Sequence, residues 1–315
     1  MKTMLKESFF YGKVLLFGEY GIIQDSMGLS IPFESYQGSL IFSSDDNKMA
    51  EWSNNELRKF YSFLRELNCN NQLPCNMDLD KLEKDIENGM LFDSSIPKGY
   101  GVGSSGALVA SIYDSYAINR ISSKGNISSE DILKLKGIFG QLESYFHGKS
   151  SGLDPLICYL NLPILIKGKN DLNAIGIPEQ GDGKGGIFLL NTGNPGETEP
   201  MVNIFFDKLK EEGFRSMFRK KFKKYNNACI EAFLEKDFAP LFANVKNLSK
   251  VVLDNFKPMI PANYQKIWQE GIDSNAYYLK LCGSGGGGYI LGFTKDIAEA
   301  KKKLSKYQVD VIYNF

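Results

Sequence analysis

Hydrophobic and polar positions alternate between two rhythms along the chain. From residue 13 to residue 17 the apolar, β-favouring run VLLF that follows Lys13 predicts a buried strand, with glycine-punctuated turns following at Gly18, Gly21 and Gly28. Residues 39–43 predict another strand. Residues 56–67, ELRKFYSFLREL, place apolar groups at helical spacing, and residues 79–89 predict a weaker, more polar helix.

After Ser105 the segment ALVASIYDSYAI contains no glycine or proline and predicts a helix that begins where a glycine-rich loop ends. A second helix starts near Ser128, with Asp131 as capping-box partner, and continues to about Phe146. With Ile132 at zero and about 100° per residue, Leu135, Phe139, Leu142 and Phe146 fall within about 60° of one direction, and Glu143 falls with them. A carboxylate is therefore predicted on an inward stripe. Taken by itself it is also explained as a core carboxylate satisfied by an ion pair.

Residues 181–186, GDGKGG, are the most linker-like stretch, and a strand is predicted immediately after them. The domain boundary is placed there, giving residues 1–182 and 183–315. Beyond it, helical patterns at 201–212, 214–234 and 238–253 give way to strands at 277–281 and 289–293. The predicted class is α+β with two domains.

Composition narrows the function. With 315 residues and 43% hydrophobic content, the chain can bury two joined cores. Its 37 basic and 37 acidic side chains cancel, so no global field favours nucleic acid or an anionic membrane. The basic runs RKKFKK and KKKLSK are expected to be solvated helix faces. Five cysteines, none in CxxC spacing, are expected to be reduced thiols. No signal peptide is legible, and no stretch reaches the roughly 18 apolar residues of a membrane helix. The protein is expected to be soluble and cytoplasmic.

Two glycine-rich segments carry the chemistry. In PKGYGVGSSGA, at 97–107, Gly99, Gly101 and Gly103 allow backbone geometries that side chains forbid, and Ser104 and Ser105 lead into a helix. N–H groups at a helix start, with the positive end of its dipole, can hold phosphate. The segment is neither a Walker A loop, lacking GK[ST], nor a dinucleotide fingerprint. By itself it reads equally as a tight structural turn. In KLCGSGGGGYILGF, four glycines at 285–288 separate two strand-like runs. Such a run implies that another backbone or a ligand comes close, a loose hairpin being the alternative.

These segments, with YGKVLLFGEY at 11–20, resemble the three motifs of the GHMP kinase family in order and content, and the resemblance covers nearly the whole chain. FHGKSSGLDP at 146–155 is most similar to the stretch that mevalonate kinases carry. The resemblance implies the two-domain GHMP-kinase-like fold with the active site in the interdomain cleft, ATP and Mg2+ as cofactors, and mevalonate as the alcohol acceptor, and it admits a homodimer. It makes Asp154 the catalytic carboxylate with Lys13 as the cation beside it. It makes Ser105 and Glu143 magnesium ligands, and Gly101, Gly103, Ser104, Ser105 and Gly106 the phosphate-binding positions. Glu19, Tyr20, His147, Gly285 and Gly286 fall on the substrate side.

The chain departs from the usual pattern at Tyr11, Tyr20, Gly106 and Ser150, the last standing where proline is common. Another alcohol acceptor, such as phosphomevalonate, homoserine or a sugar, and a ligand-sensing member of the fold without turnover are the rival readings. The joint retention of Lys13, Ser105, Glu143 and Asp154 argues against the second.

Overall fold

The computed structural model describes residues 2–5, 8–43 and 48–315, without the side chains of residues 2–4 and 147. The chain forms two compact units. The first takes residues 1–13, 32–97 and 103–162, and the second takes 14–31, 98–102 and 163–315.

In the first unit β1 (Lys2–Met4) and β4 (Met90–Ser94) pair antiparallel with the later part of β3 (Gly28–Ser43), which follows β2 (Phe10–Phe17). Helices α1 (Lys48–Cys69) and α2 (Leu79–Glu87) pack beside β4 and bury Leu57, Phe60, Leu64, Leu82 and Ile86. Both helices confirm the periodicity, and α1 is longer than its apolar stripe predicts. Helix α3 (Ser104–Tyr116) is central, packing against α4 (Ser129–His147) and α5 (Leu153–Leu160). Its residues Val109, Ala110, Ile112 and Tyr113 are all buried, as expected of a helix covered on more than one face.

The start of α4 follows its sequence signal. Ser128 Oγ accepts the Asp131 N–H at 3.1 Å and caps the helix. Helix α5 carries no clear periodic signal in eight residues, and only its first turn announces it: Gly152 at the cap, then Asp154 and Pro155.

The second unit contains β5 (Ile164–Gly168) and β6 (Asp171–Ala174), with β5 pairing antiparallel to the first residues of β3. A four-stranded antiparallel sheet follows in the order β10-β7-β9-β8, built from β7 (Gly186–Asn191), β8 (Tyr278–Leu281), β9 (Tyr289–Thr294) and β10 (Val309–Asn314). Its helices are α6 (Thr198–Lys208), α7 (Glu212–Met217), α8 (Lys223–Leu234), α9 (Phe238–Asn255), α10 (Ala262–Ser274) and α11 (Ile297–Lys303). Of these, α9 and α10 cover β8.

Two local readings change. The segment 181–186 is tied to the chain's end, with the Gly181 N–H donating to the Asn314 carbonyl and the Gly183 N–H to that of Phe315. The single helix predicted over 214–234 is interrupted by a π-helical turn at Phe218–Phe222. That wide turn stacks the rings of Phe218 and Phe222 at 4.6 Å and buries both. Arg219, Lys220 and Lys221 stay exposed, as a solvated face requires. Among the described residues no helix is long and apolar enough to cross a membrane, and all five cysteines are free thiols.

Candidate active site

Strand β2 carries Lys13 into the interior of the first unit, where its side chain is 4% exposed. Its Nζ lies 2.9 Å from Asp154 Oδ2, and the Asp154 side chain is 40% exposed. Asp154 stands in the first turn of α5, where the helix dipole favours a negative charge. Lysine and aspartate thus form a pair with a sheltered cation and an accessible carboxylate.

Gly103 sits between this pair and α3. It caps that helix in the left-handed region, with φ 87°, and a Cβ there would lie 3.0 Å from Lys13 Cγ and 3.2 Å from Cys158 Sγ. The backbone conformation favours glycine, and a Cβ would also oblige Lys13 or Cys158 to shift by a few tenths of an ångström. Ser104, Ser105 and Gly106 form the first turn of α3, whose N–H groups point out of the helix start and favour an anion. A Cβ on Gly106 would lie 2.8 Å from the Asp154 carbonyl carbon, so glycine here lets α5 approach α3 backbone to backbone.

Glu143, from α4, is 3% exposed, in agreement with its calculated inward phase. Ser105 Oγ donates to its Oε1 at 3.0 Å, and Ser150 Oγ donates to its Oε2. Burial, and then the charge of Asp154, push the Glu143 carboxyl up to about 7, against the pull of the two serine hydrogen bonds and Lys13. A buried carboxylate beside a hydroxyl is an all-oxygen pair suited to Mg2+, which takes one or two carboxylates and completes its shell with water and substrate phosphate. Among the described residues no cluster of three or more His, Cys, Asp or Glu could hold a metal instead.

One neighbour of this cluster carries no signal in the sequence, and a second carries only an indirect one. Cys158 Sγ donates to the Gly103 carbonyl at 3.7 Å, and burial holds its thiol well above the usual range, which makes it a packing group rather than a nucleophile. Ser150 is legible only as a departure from a pattern. His147 closes α4, and its side chain lies outside the described residues.

The second unit gathers the other sequence-predicted positions. Gly101, with φ 77°, lies against the Cys282 carbonyl, which a Cβ would approach to 2.7 Å. Glu19 is buried in an ion pair with Lys280, which also donates to the Leu281 carbonyl at 3.0 Å. Tyr20 is buried, in the left-handed region at φ 57°, with its ring stacked 4.6 Å from Phe205. Its hydroxyl donates to the Ser284 carbonyl at 2.6 Å, and burial pushes that hydroxyl well up, so it remains a donor.

The four-glycine run has a backbone explanation. A Cβ on Gly285 would lie 2.6 Å from the Met259 carbonyl oxygen, one on Gly287 2.7 Å from that of Pro195, and one on Gly288 2.5 Å from Tyr100 Cα. The Gly286 N–H donates to Met259 at 2.7 Å and the Gly288 N–H to Asn194 at 2.6 Å. Other backbones come close here, and the loose-hairpin alternative falls.

Residues 60–161 match the sequence model of the GHMP kinases N-terminal domain. That match spans about a third of the chain, and the fold of the whole chain is one shared by solved small-molecule kinases. Among the solved structures similar in fold is L. major mevalonate kinase in complex with R-mevalonate. That structure is 18% identical, covers 100% of this chain and 99% of its own, and has a TM-score of 0.64. Streptococcus pneumoniae phosphomevalonate kinase is similar at 13% identity, covering 98% of both chains, with a TM-score of 0.60. Lactococcus lactis galactokinase, complexed with galactose, is 14% identical over 97% of this chain and 92% of its own, with a TM-score of 0.62. No curated protein sequence matches.

Proposed function

We propose that this chain is an ATP-dependent kinase that phosphorylates the primary hydroxyl of mevalonate, giving 5-phosphomevalonate for isoprenoid precursor synthesis. The observation that carries the reading is the 2.9 Å pair of Lys13 and Asp154, set beside Gly103 and the first turn of α3. Asp154 takes the proton of the acceptor hydroxyl as its oxygen attacks the γ-phosphorus, and the bond to ADP breaks. Lys13 holds Asp154 in place and offsets negative charge on the transferring phosphoryl group. The N–H groups of Ser104, Ser105 and Gly106 orient phosphate oxygens. Ser105 Oγ and Glu143 Oε1 would hold Mg2+, which supplies charge neutralisation on the phosphates when bound.

The acceptor is the finer part of the reading, supported by the FHGKSSGLDP segment and by the mevalonate kinases among the structural relatives. A coupled ADP-release assay with mevalonate, phosphomevalonate, homoserine and galactose tests it. Mevalonate is expected to exceed the others in kcat/KM by at least about tenfold, or about 1.4 kcal/mol in transition-state binding. Equal or better turnover of a rival overturns the mevalonate assignment and leaves phosphoryl transfer standing. No ADP release with any of the four would favour the ligand-sensing reading.

A further inference from the structure

The two carboxylate oxygens of Glu143 have different partners. Oε1 accepts from Ser105 Oγ at 3.0 Å, and Oε2 accepts from Ser150 Oγ. Ser150 Oγ accepts in turn from the Gly152 N–H at 3.0 Å. A hydroxyl has one proton, so accepting from a backbone N–H while donating to a carboxylate fixes its rotor.

The backbone on which Ser150 sits is itself held. Gly152 has φ 72°, and a Cβ there would lie 2.1 Å from the Lys136 carbonyl oxygen and 2.6 Å from the Gly140 nitrogen. A Cβ on Gly140 would lie 3.2 Å from the Ser150 carbonyl oxygen. The turn from α4 to α5 is therefore pressed onto α4, and Ser150 has a firm base from which to hold Glu143.

We propose that Ser150 is a positioning residue for a divalent cation, holding Glu143 Oε2 so that Oε1 and Ser105 Oγ are presented together to Mg2+. The inference rests on the reading that Glu143 and Ser105 hold the ion. The terminal torsion of a glutamate is broad and roughly two-fold, so a carboxylate tied at one oxygen can turn, whereas one tied at both cannot. Because Gly152 caps α5, two residues before Asp154, the same hydroxyl also links the metal-binding carboxylate to the helix that carries the proton acceptor.

Mn2+ binding, measured by electron paramagnetic resonance with a non-hydrolysable ATP analogue present, tests this on the wild type and on Ser150→Ala, Ser150→Thr and Glu143→Gln. Losing the partner of a metal ligand commonly lowers affinity about 10- to 100-fold. Ser150→Ala is expected to weaken Mn2+ binding by at least about tenfold on that scale. Ser150→Thr, which keeps the hydroxyl, should restore it. In steady state Ser150→Ala should raise the Mg2+ needed for half-maximal rate much more than it lowers kcat at saturating Mg2+. Wild-type Mn2+ affinity in Ser150→Ala, alongside weakened binding in Glu143→Gln, overturns the role of Ser150 and leaves the metal site standing. Failure of threonine to restore affinity also overturns it, since the hydroxyl would then not be the operative group. Wild-type affinity in Glu143→Gln overturns the metal-site reading and this inference together.

Discussion

Lys13 Nζ and Asp154 Oδ2 are 2.9 Å apart, yet the lysine side chain is 4% exposed and the aspartate 40%. A paired cation sheltered by protein and a carboxylate open on one side make an arrangement in which one partner is fixed and the other can meet a substrate. Removing the carboxylate charge also leaves a buried ammonium short of its counter-charge, which costs stability.

Asp154→Asn keeps the side chain's size and removes its ability to take a proton. Turnover should fall by about 10² or more, the scale of general-base losses, while the affinity for ATP is nearly retained. Steady-state kinetics and calorimetric nucleotide binding check this, and near-normal kcat would remove Asp154 from the chemistry. The melting temperature should also drop.

Ser105→Ala removes the hydroxyl that donates to Glu143 Oε1 at 3.0 Å and leaves the N–H groups of the α3 start in place. The expected result is a higher Mg2+ and ATP requirement and lower turnover, with unchanged circular dichroism. Unaltered kinetics at limiting Mg2+ would exclude Ser105 from the metal site.

Glu143 gives the metal-free protein a pH signature. Its carboxyl is raised from the ordinary 4.5 to about 7 by burial and by Asp154. The folded state therefore holds the proton more tightly than the unfolded chain. This contribution to stability is fully present below about pH 4.5 and is lost as pH rises through about 7. Relative to Glu143→Gln, the wild-type melting temperature should decline between pH 5 and 8, an interval bracketing the value of about 7. Mg2+ should reduce that decline. Parallel curves for the two proteins would show that Glu143 does not titrate in this window.

Gly106→Ala preserves the backbone N–H, so its effect reports displacement of α5 and not loss of a phosphate donor. A Cβ 2.8 Å from the Asp154 carbonyl carbon cannot be accommodated without a backbone shift. Misplacement by an ångström can cost about 10² in rate, so a shift of a few tenths should lower kcat by about tenfold. ATP affinity should change little, and wild-type kcat would show that α5 yields without moving the carboxylate.

Features that depend on near neighbours in the chain are legible from sequence. The apolar period of α4 puts Glu143 inward because side chains about one turn apart share a face whatever the rest of the molecule does. The Ser128 cap and the start of α3 after a glycine loop are local in the same sense. Helix α5 is not legible this way. Its eight residues are buried on nearly every side, so no polar stripe marks the period, and only its first turn carries a signal.

What only the tertiary structure decides are the distances between segments far apart in sequence. The composition of residues 285–288 requires a close approach, but that the Met259, Pro195 and Tyr100 backbones make it depends on how the loops fold together. Tyr20 is legible only as an unusual residue in a motif, whereas its hydroxyl's choice of the Ser284 carbonyl follows from where φ 57° aims the ring and from the Phe205 face that receives it. Ser150 likewise has no chemistry until the turn after α4 folds back and brings its hydroxyl to Glu143. Periods and caps are set by covalent neighbours. Hydrogen bonds and ion pairs between distant residues act over a few ångströms, and only the completed packing brings their partners within that range.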